Sequence, residues 1–168
     1  MRNSKKFIAC QAPIPATIND FWLMIWQQNC CVIVMLTKFT EKGVKKANGY
    51  WPKRKGESCS YADFKVTNKG SIHLNNLAIT FLELGLCNSY RFVYHLHYTE
   101  WPDFGVPKST SILRSLISFT DLYSYLGSTR DLDGPIVCHW YIISSLFTKA
   151  KKKHIKNKKH INKKNIKN

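Results

Sequence analysis

Paired cysteines and long apolar runs are both missing from this sequence of 168 residues. Its six cysteines include no C-x-x-C pair, the spacing typical of zinc sites, and show no regular disulfide pattern. The longest apolar stretch, residues 30–36, is far shorter than the roughly 20 residues of a membrane helix, and the apolar run at residues 7–10 is too short for a signal peptide. We therefore expect a soluble, intracellular protein of the cytoplasm with free thiols. The cysteines are Cys10, Cys30, Cys31, Cys59, Cys87 and Cys138.

Acidic residues are missing from the end of the chain. From Lys149 onward there are ten lysines and no Asp or Glu, whereas residues 1–148 carry sixteen Lys and Arg against ten carboxylates. Most of the formal charge of +16 therefore belongs to a tail, residues 148–168, with too little apolar area to offset its ordering entropy. We expect a disordered tail, a basic start at residues 1–6 and a folded domain at residues 7–147.

The lysine-rich tail has two interpretations. Its charges would attract nucleic acid or an anionic membrane, where each lysine contributes about 1 kcal/mol, and they resemble a nuclear-localisation signal. Alternatively the tail was never selected, because Lys, Asn, Ile and His are all encoded by A- and T-rich codons. A frameshift near His139 would then have produced it.

Two segments have the spacing of amphipathic helices. The first is predicted to be capped by Thr17 or Asn19 and to end near Gln28, and the second to be capped by Ser109 or Ser111 and to end near Leu126. The apolar face of the first consists of Ile18, Phe21, Trp22, Ile25 and Trp26. The apolar face of the second consists of Ile112, Leu116, Phe119 and Tyr123.

Short β-branched segments predict strands between and around these helices. Residues 31–36 (CVIVML) and 135–139 (PIVCH) are apolar on both faces, as expected inside a sheet. Further strands are predicted at residues 61–67, 72–83 and 90–99, with a hairpin turn at residues 68–70 (NKG). This alternation predicts an α/β (α+β) domain, a twisted mixed sheet flanked by helices.

Several strings of the chain occur in one order that is typical of a single enzyme family. They are residues 7–13 (FIACQAP), 20–26 (DFWLMIW), 34–37 (VMLT), 41–43 (EKG), 50–52 (YWP), 97–107 (HYTEWPDFGVP) and 134–137 (GPIV). The chain resembles the protein-tyrosine phosphatases of the non-receptor type, over about residues 7–139. The resemblance implies that family's fold, truncated at both ends. The chain is compact and carries several cysteines, and in this it also resembles the phosphatase-like proteins of polydnaviruses (bracoviruses).

The chemistry implied by this resemblance needs three parts. A cysteine thiolate attacks phosphorus, a glycine-rich loop with an arginine holds the phosphate dianion, and a carboxylic acid protonates the leaving tyrosine oxygen. The resemblance assigns the acid position to Asp103, on the loop that Trp101 and Pro102 begin. Without substrate beneath it, we expect Asp103 to be a vestigial acid.

The nucleophile and the phosphate loop are not found. The family carries Cys after the histidine that matches His139, but this chain has Trp140, and no Arg follows Arg130 and no Gly follows Gly134. The nearest thiol, Cys138, is two residues early, about 6.6 Å back along a strand, where we expect a buried structural thiol. The chain is therefore expected to be an inactive pseudophosphatase that contacts host or cellular signalling proteins.

Cofactor and metal sites are not predicted. His95 and His97 lie at i and i+2 and would face one side of a strand, but no third ligand is spaced to join them. We expect neither a metal nor an organic cofactor.

Overall fold

A computed structural model of the chain describes residues 6–41, 43–101 and 110–140. The helices are α1 (Ile18–Gln27), which follows a 3-10 turn at Pro15–Thr17, and α2 (Thr110–Ser128). The strands are β1 (Phe7–Gln11), β2 (Val32–Met35), β3 (Thr40–Glu41), β4 (Val44–Lys45), β5 (Ser58–Tyr61), β6 (Phe64–Leu74), β7 (Leu77–Leu86), β8 (Ser89–Tyr98) and β9 (Ile136–Trp140). Neither described helix is long and apolar enough to cross a membrane.

The strands form a mixed sheet, which confirms the predicted fold class. Within the described residues seven strands pair in the order β1-β9-β2-β8-β7-β6-β5. The pairs that join β1, β9, β2 and β8 are parallel, and those that join β8, β7, β6 and β5 are antiparallel. Strand β9 therefore lies between the two strands that come first in the chain.

The core lies on both faces of this sheet. Phe21, Trp22 and Ile25 of α1 belong to one buried cluster, and Leu116 and Tyr123 of α2 belong to the other. Because side chains alternate along a strand, β2 supplies Ile33 and Met35 to the first cluster and Val32 and Val34 to the second. Each such side chain stabilises the fold by roughly 1.5–3 kcal/mol.

The helix and buried-strand predictions are confirmed with small shifts of their ends. Helix α1 begins after Thr17, although that side chain makes no capping hydrogen bond to the helix. Ile18 and Trp26 are partly buried at the margin of the α1 cluster, and Ile112 and Phe119 pack at the margin of the α2 cluster. Helix α2 begins at Thr110, so Ser111 lies inside it, and the alternative cap, Ser109, lies outside the described residues.

The predicted hairpin at residues 68–70 is wrong. Strand β6 runs through these residues with a bulge between Asn68 and Gly70. The buried Asn68 side chain donates to the Pro52 carbonyl and accepts from the Gly70 backbone N–H, so it satisfies the groups that the bulge leaves unpaired. The sheet instead reverses around Ala62 (φ 50°), Asn75 (φ 49°) and Cys87 (φ 51°), which adopt left-handed backbone conformations.

Candidate functional site

Buried polar side chains gather where the parallel strands end. The carboxyl ends of parallel strands meet at one edge of a sheet, and here β2, β8 and β9 bring Thr37, His97 and His139 to that edge. The segment before β5 adds Tyr50 and Trp51, both buried. We call Tyr50, His95, His97 and His139 the histidine cluster.

The Tyr50 hydroxyl connects two of these imidazoles. It lies 2.7 Å from His95 Nε2 and 2.6 Å from His139 Nε2. A hydroxyl has one proton to donate, so it donates to one ring and accepts an N–H from the other. The two histidines must therefore be different tautomers. Neither Nδ1 atom has a hydrogen-bond partner among the residues that the structure describes.

Aromatic rings hold this hydroxyl in place. Trp22 Nε1 donates to the Tyr50 carbonyl at 3.0 Å, and Phe21 packs edge-on against the rings of both Tyr50 and His139. Trp51 lies against His95, with ring centroids 3.9 Å apart. Such packing leaves little room for the rings to turn, so the cluster is rigid.

His97 and Lys53 complete the edge. His97 Nε2 donates to the Thr37 carbonyl at 2.8 Å. Lys53 is an exposed residue overall, but its amino group lies 3.0 Å from the centroid of the Trp51 ring. Burial at that end lowers the Lys53 pKa to about 7. The face of the Trp51 ring opposes this shift, because it favours the charged form of the amino group.

Burial keeps the histidine cluster uncharged at neutral pH. It lowers the pKa of His139 to about 3, with a smaller effect from nearby His97. It also lowers the pKa of His95, where the charges of neighbouring histidines and Lys53 add to the effect, and that of His97, although the Thr37 carbonyl opposes the shift. The pKa of Tyr50 is raised by burial. The cluster can position groups, but it holds no activated nucleophile.

Trp140 continues strand β9 directly after His139. Its carbonyl accepts a hydrogen bond from Ala12 N–H at 3.0 Å, and the His139 carbonyl accepts one from Leu36 N–H at 3.0 Å. The side chain of Trp140 is 38% exposed. The position to which the resemblance assigns the nucleophile therefore carries an indole at the end of a hydrogen-bonded strand.

Cys138 lies inside the sheet, as predicted, but it is half-buried. Its backbone pairs with Ala9 on one side and Val34 on the other, and its side chain packs against the α2 cluster, on the face opposite to His139. Burial raises its pKa, and burial together with the Cys138 charge raises the pKa of Cys10 to about 11. A thiolate is disfavoured at both positions.

The acid loop is described only at its first residue. Trp101 is half-buried, packs beside the α2 cluster and contacts Tyr98 edge-on, whereas Pro102 and Asp103 lie outside the described residues. In residues 6–41, 43–101 and 110–140, no three His, Cys, Asp or Glu side chains are grouped as metal ligands. The Nε2 atoms of His95 and His139 are both occupied by the Tyr50 hydroxyl.

Comparison with known proteins assigns the family. A family model described as Protein-tyrosine phosphatase matches residues 1–140. The chain belongs to the protein-tyrosine phosphatase family. It is 38% identical over 135 residues to Tyrosine-protein phosphatase 3 of Dictyostelium discoideum. This match covers 79% of the chain and 14% of that protein. It is 39% identical over 142 residues to human Tyrosine-protein phosphatase non-receptor type 14, which covers 79% of the chain and 12% of that protein.

The phosphatase relatives are much longer than the matched part. The chain is 38% identical to Tyrosine-protein phosphatase 2 of Dictyostelium discoideum, and the match covers 35% of that protein's length. The chain thus contains a phosphatase-like domain region that corresponds to only part of each of these relatives.

The sequence patterns point to His95, His97 and His139, but not to Tyr50 as the residue that joins two of them. Tyr50 is 45 residues from His95 and 89 from His139, so no local spacing relates them. Tyr50-Trp51-Pro52 was recognised as one of the family strings, and a fully buried tyrosine there needs a hydroxyl partner. That requirement is the signal in the sequence that points to Tyr50 as a member of the cluster.

Proposed function

We propose that this phosphatase-family chain is catalytically inactive and acts through protein contacts of its scaffold. The observation that carries the proposal is the residue after His139, which is Trp140 in a hydrogen-bonded strand. From Trp140 to the end, the sequence contains no sulfur atom and no guanidinium group. Neither a thiolate to attack phosphorus nor an arginine to hold it is present there.

The magnitude of these losses supports inactivity. Removal of the nucleophile from a covalent mechanism costs on the order of 10⁶-fold in turnover. Hydrogen bonds to a charged group contribute roughly 1.5–3 kcal/mol each, and the phosphate loop would supply several. A chain without them also lacks the means to trap phosphotyrosine in the catalytic position. We therefore favour a scaffold over a substrate-trapping protein.

The proposed setting is intracellular signalling. A viral pseudophosphatase that contacts signalling proteins of its host cell would need the scaffold and not the chemistry. The rigid histidine cluster and the retained sheet supply such a scaffold, and the family match over residues 1–140 supports its derivation from a phosphatase. Competition with an active phosphatase for a shared protein partner is the activity that we expect.

Two measurements on the full chain test inactivity. We expect no release of phosphate from an aryl phosphate above background, and no covalent phosphoenzyme in intact-mass spectra after rapid quenching. Asp103→Asn and Cys138→Ser are the matched variants. Phosphate release that disappears in Asp103→Asn, or a phosphoenzyme that disappears in Cys138→Ser, would contradict the proposal.

The lysine-rich end supports a second candidate function, contact with nucleic acid or an anionic membrane. Ten lysines without an acidic residue follow residue 148. Binding of this kind weakens steeply with salt because counterions are released. Deletion of residues 149–168 should abolish binding to duplex DNA or phosphatidylserine vesicles. Retention of that binding in the deleted chain would contradict the second candidate, and binding to a protein partner that is insensitive to salt would favour the first.

A further inference from the structure

A cavity of about 520 Å³ lies at the amino ends of the parallel strands, opposite to the end that carries the histidine cluster. Its walls come from the segments that lead into the parallel strands: Asn29 precedes β2, residues 90–92 begin β8, and residues 130–132 precede β9. Arg91 is six residues from His97 along β8, which corresponds to about 20 Å. The cavity is therefore separate from the histidine cluster.

Two arginines in the cavity wall are held by aromatic contacts and neutral acceptors. The Arg91 guanidinium lies 3.9 Å from the centroid of Trp26 and donates to the Trp26 carbonyl. The Arg130 guanidinium donates to the Tyr94 hydroxyl at 3.3 Å and lies 5.4 Å from the Phe92 ring. A guanidinium carries five N–H donors, so most donors of both groups remain available.

Neither arginine is neutralised within the described part of the chain. The ion pair between Lys69 and Glu83 involves neither Arg91 nor Arg130. Asp131 is the acidic residue of the cavity wall, which leaves one excess positive charge. Arg91 packs against Trp26 on the α1 face of β8, whereas Arg130 lies on the α2 face with Phe92 and Tyr90. Arg130 is therefore the group that can donate charge-assisted hydrogen bonds to an oxyanion whose ring packs on Tyr90.

An aromatic surface lies beside these charges. Tyr90 is 66% exposed, and its ring contacts Phe92 edge-on with centroids 5.9 Å apart. An exposed aromatic ring that is supported from behind offers a flat face for stacking. Cavities of roughly 300–1,000 Å³ are typical of sites for small molecules, so the volume accommodates a ring together with its anionic group.

We propose that this cavity binds an aromatic oxyanion, a phosphate or carboxylate group attached to a ring. The anion accepts hydrogen bonds from Arg130, the ring packs on Tyr90, and Arg91 adds positive charge to the cavity wall. This binding site uses no residue of the histidine cluster, so the proposal does not depend on the proposed inactivity.

Titration of the isotope-labelled full chain with phenyl phosphate tests where the ligand binds. Amide shifts are expected at Asn29, at residues 90–92 and at residues 130–132. Shifts concentrated at His97, Trp101 and His139 would overturn the proposal. Benzoate in place of phenyl phosphate distinguishes a carboxylate ligand from a phosphate ligand, and shifts in the cavity with either anion support the oxyanion site. Phenol that binds as tightly as both anions would overturn it.

Variants test which groups carry the binding. Arg130→Gln should weaken phenyl phosphate binding at least about tenfold, because a hydrogen bond to a charged group is lost. Arg114→Gln is the matched control, since Arg114 is exposed in the first half of α2 and should change the affinity less than about twofold. Equal losses in the two variants would show general charge attraction and overturn the proposal.

A third variant removes the ring without touching the core. Tyr90→Ser should weaken phenyl phosphate binding while leaving inorganic phosphate unaffected, because only the former has a ring to stack. Thermal unfolding of each variant shows whether it remains folded. If Arg130→Gln does not fold, the Tyr90→Ser result and the shift map of the unmodified chain still decide, and unchanged phenyl phosphate binding in Tyr90→Ser would contradict the assignment.

Discussion

The hydroxyl of Tyr50 satisfies two buried imidazoles at once, and this makes it the most connected polar atom of the histidine cluster. Tyr50→Phe keeps the ring and removes only that oxygen. Both Nε2 atoms then lose their partner, and each unsatisfied buried group costs about 1–3 kcal/mol. We expect the free energy of unfolding to fall by about 2–6 kcal/mol, measured by urea denaturation.

Tyr90→Phe is the matched control for this change. The Tyr90 ring is 66% exposed, so loss of its hydroxyl should change the free energy of unfolding by less than about 0.5 kcal/mol. Equal midpoints for Tyr50→Phe and the unmodified chain would contradict the described hydrogen bonds.

The buried histidines also make stability depend on pH. Their folded pKa values lie below the ordinary 6.5, at about 3 for His139, so the unfolded chain binds more protons between these values. Stability is therefore complete above about pH 6.5 and falls as the pH drops toward 3, by up to about 1.4 kcal/mol per pH unit for each such histidine. Urea midpoints at pH 7.5, 6.5 and 5.5 measure this slope.

His73 provides the control for the pH slope. It is exposed on β6, so His73→Gln should leave the slope unchanged. A midpoint that stays constant from pH 7.5 to 5.5 would contradict the neutral state of the cluster.

At the scale of elements, the sequence predicted which segments form helices and strands better than it predicted where the chain turns. Residues 31–36 and 135–139 are apolar on both faces. They form β2 and β9, which lie inside the sheet and are covered on both faces, so the pattern predicted their place correctly. The turn signal at residues 68–70 was misleading because Asn and Gly serve a bulge as well as a hairpin. Which one forms depends on the length of the partner β7, a non-local property. The true reversal at Ala62 had no glycine to mark it.

Gly134 anchors the start of β9 through close backbone contact. A Cβ atom at this position would overlap the carbonyl oxygens of Gln28 and Asn29. Because these are backbone atoms, relief requires the corner between α1 and β2 to move. We expect Gly134→Ala to lower the free energy of unfolding by about 3 kcal/mol or more, measured by urea denaturation.

Gly49→Ala is the comparison for Gly134→Ala. A Cβ atom there would meet only Lys53 Cε, at an ordinary contact distance of 3.8 Å. This variant should match the unmodified chain within about 0.5 kcal/mol. Similar losses in the two variants would show that the close contact at Gly134 is not the cause.

At the scale of the whole molecule, the inactivity that we propose has more than one cause, and a single substitution should not reverse it. Trp140→Cys places a thiol after His139 but supplies no glycine-rich loop and no arginine. We expect no release of phosphate from an aryl phosphate. The new thiol should titrate near the free value of about 8.5, measured from its alkylation rate against pH.

Trp140→Ser separates the effect of the thiol from that of removing the indole. Its phosphate release should equal that of Trp140→Cys. Activity in the cysteine variant alone would mean that the scaffold still activates a nucleophile, and the chain would then be one mutation from an enzyme.

Strand β9 has a consequence for synthesis. In the described residues β1 pairs only with β9, and Phe7 meets Ile136, so the ribosome makes these two partners well over a hundred residues apart. A nascent chain arrested before residue 136 has a gap between β1 and β2, the place that β9 fills in the described sheet. Closing so long a loop is slow, and until it closes, the edge of β2 is open to strands from other chains.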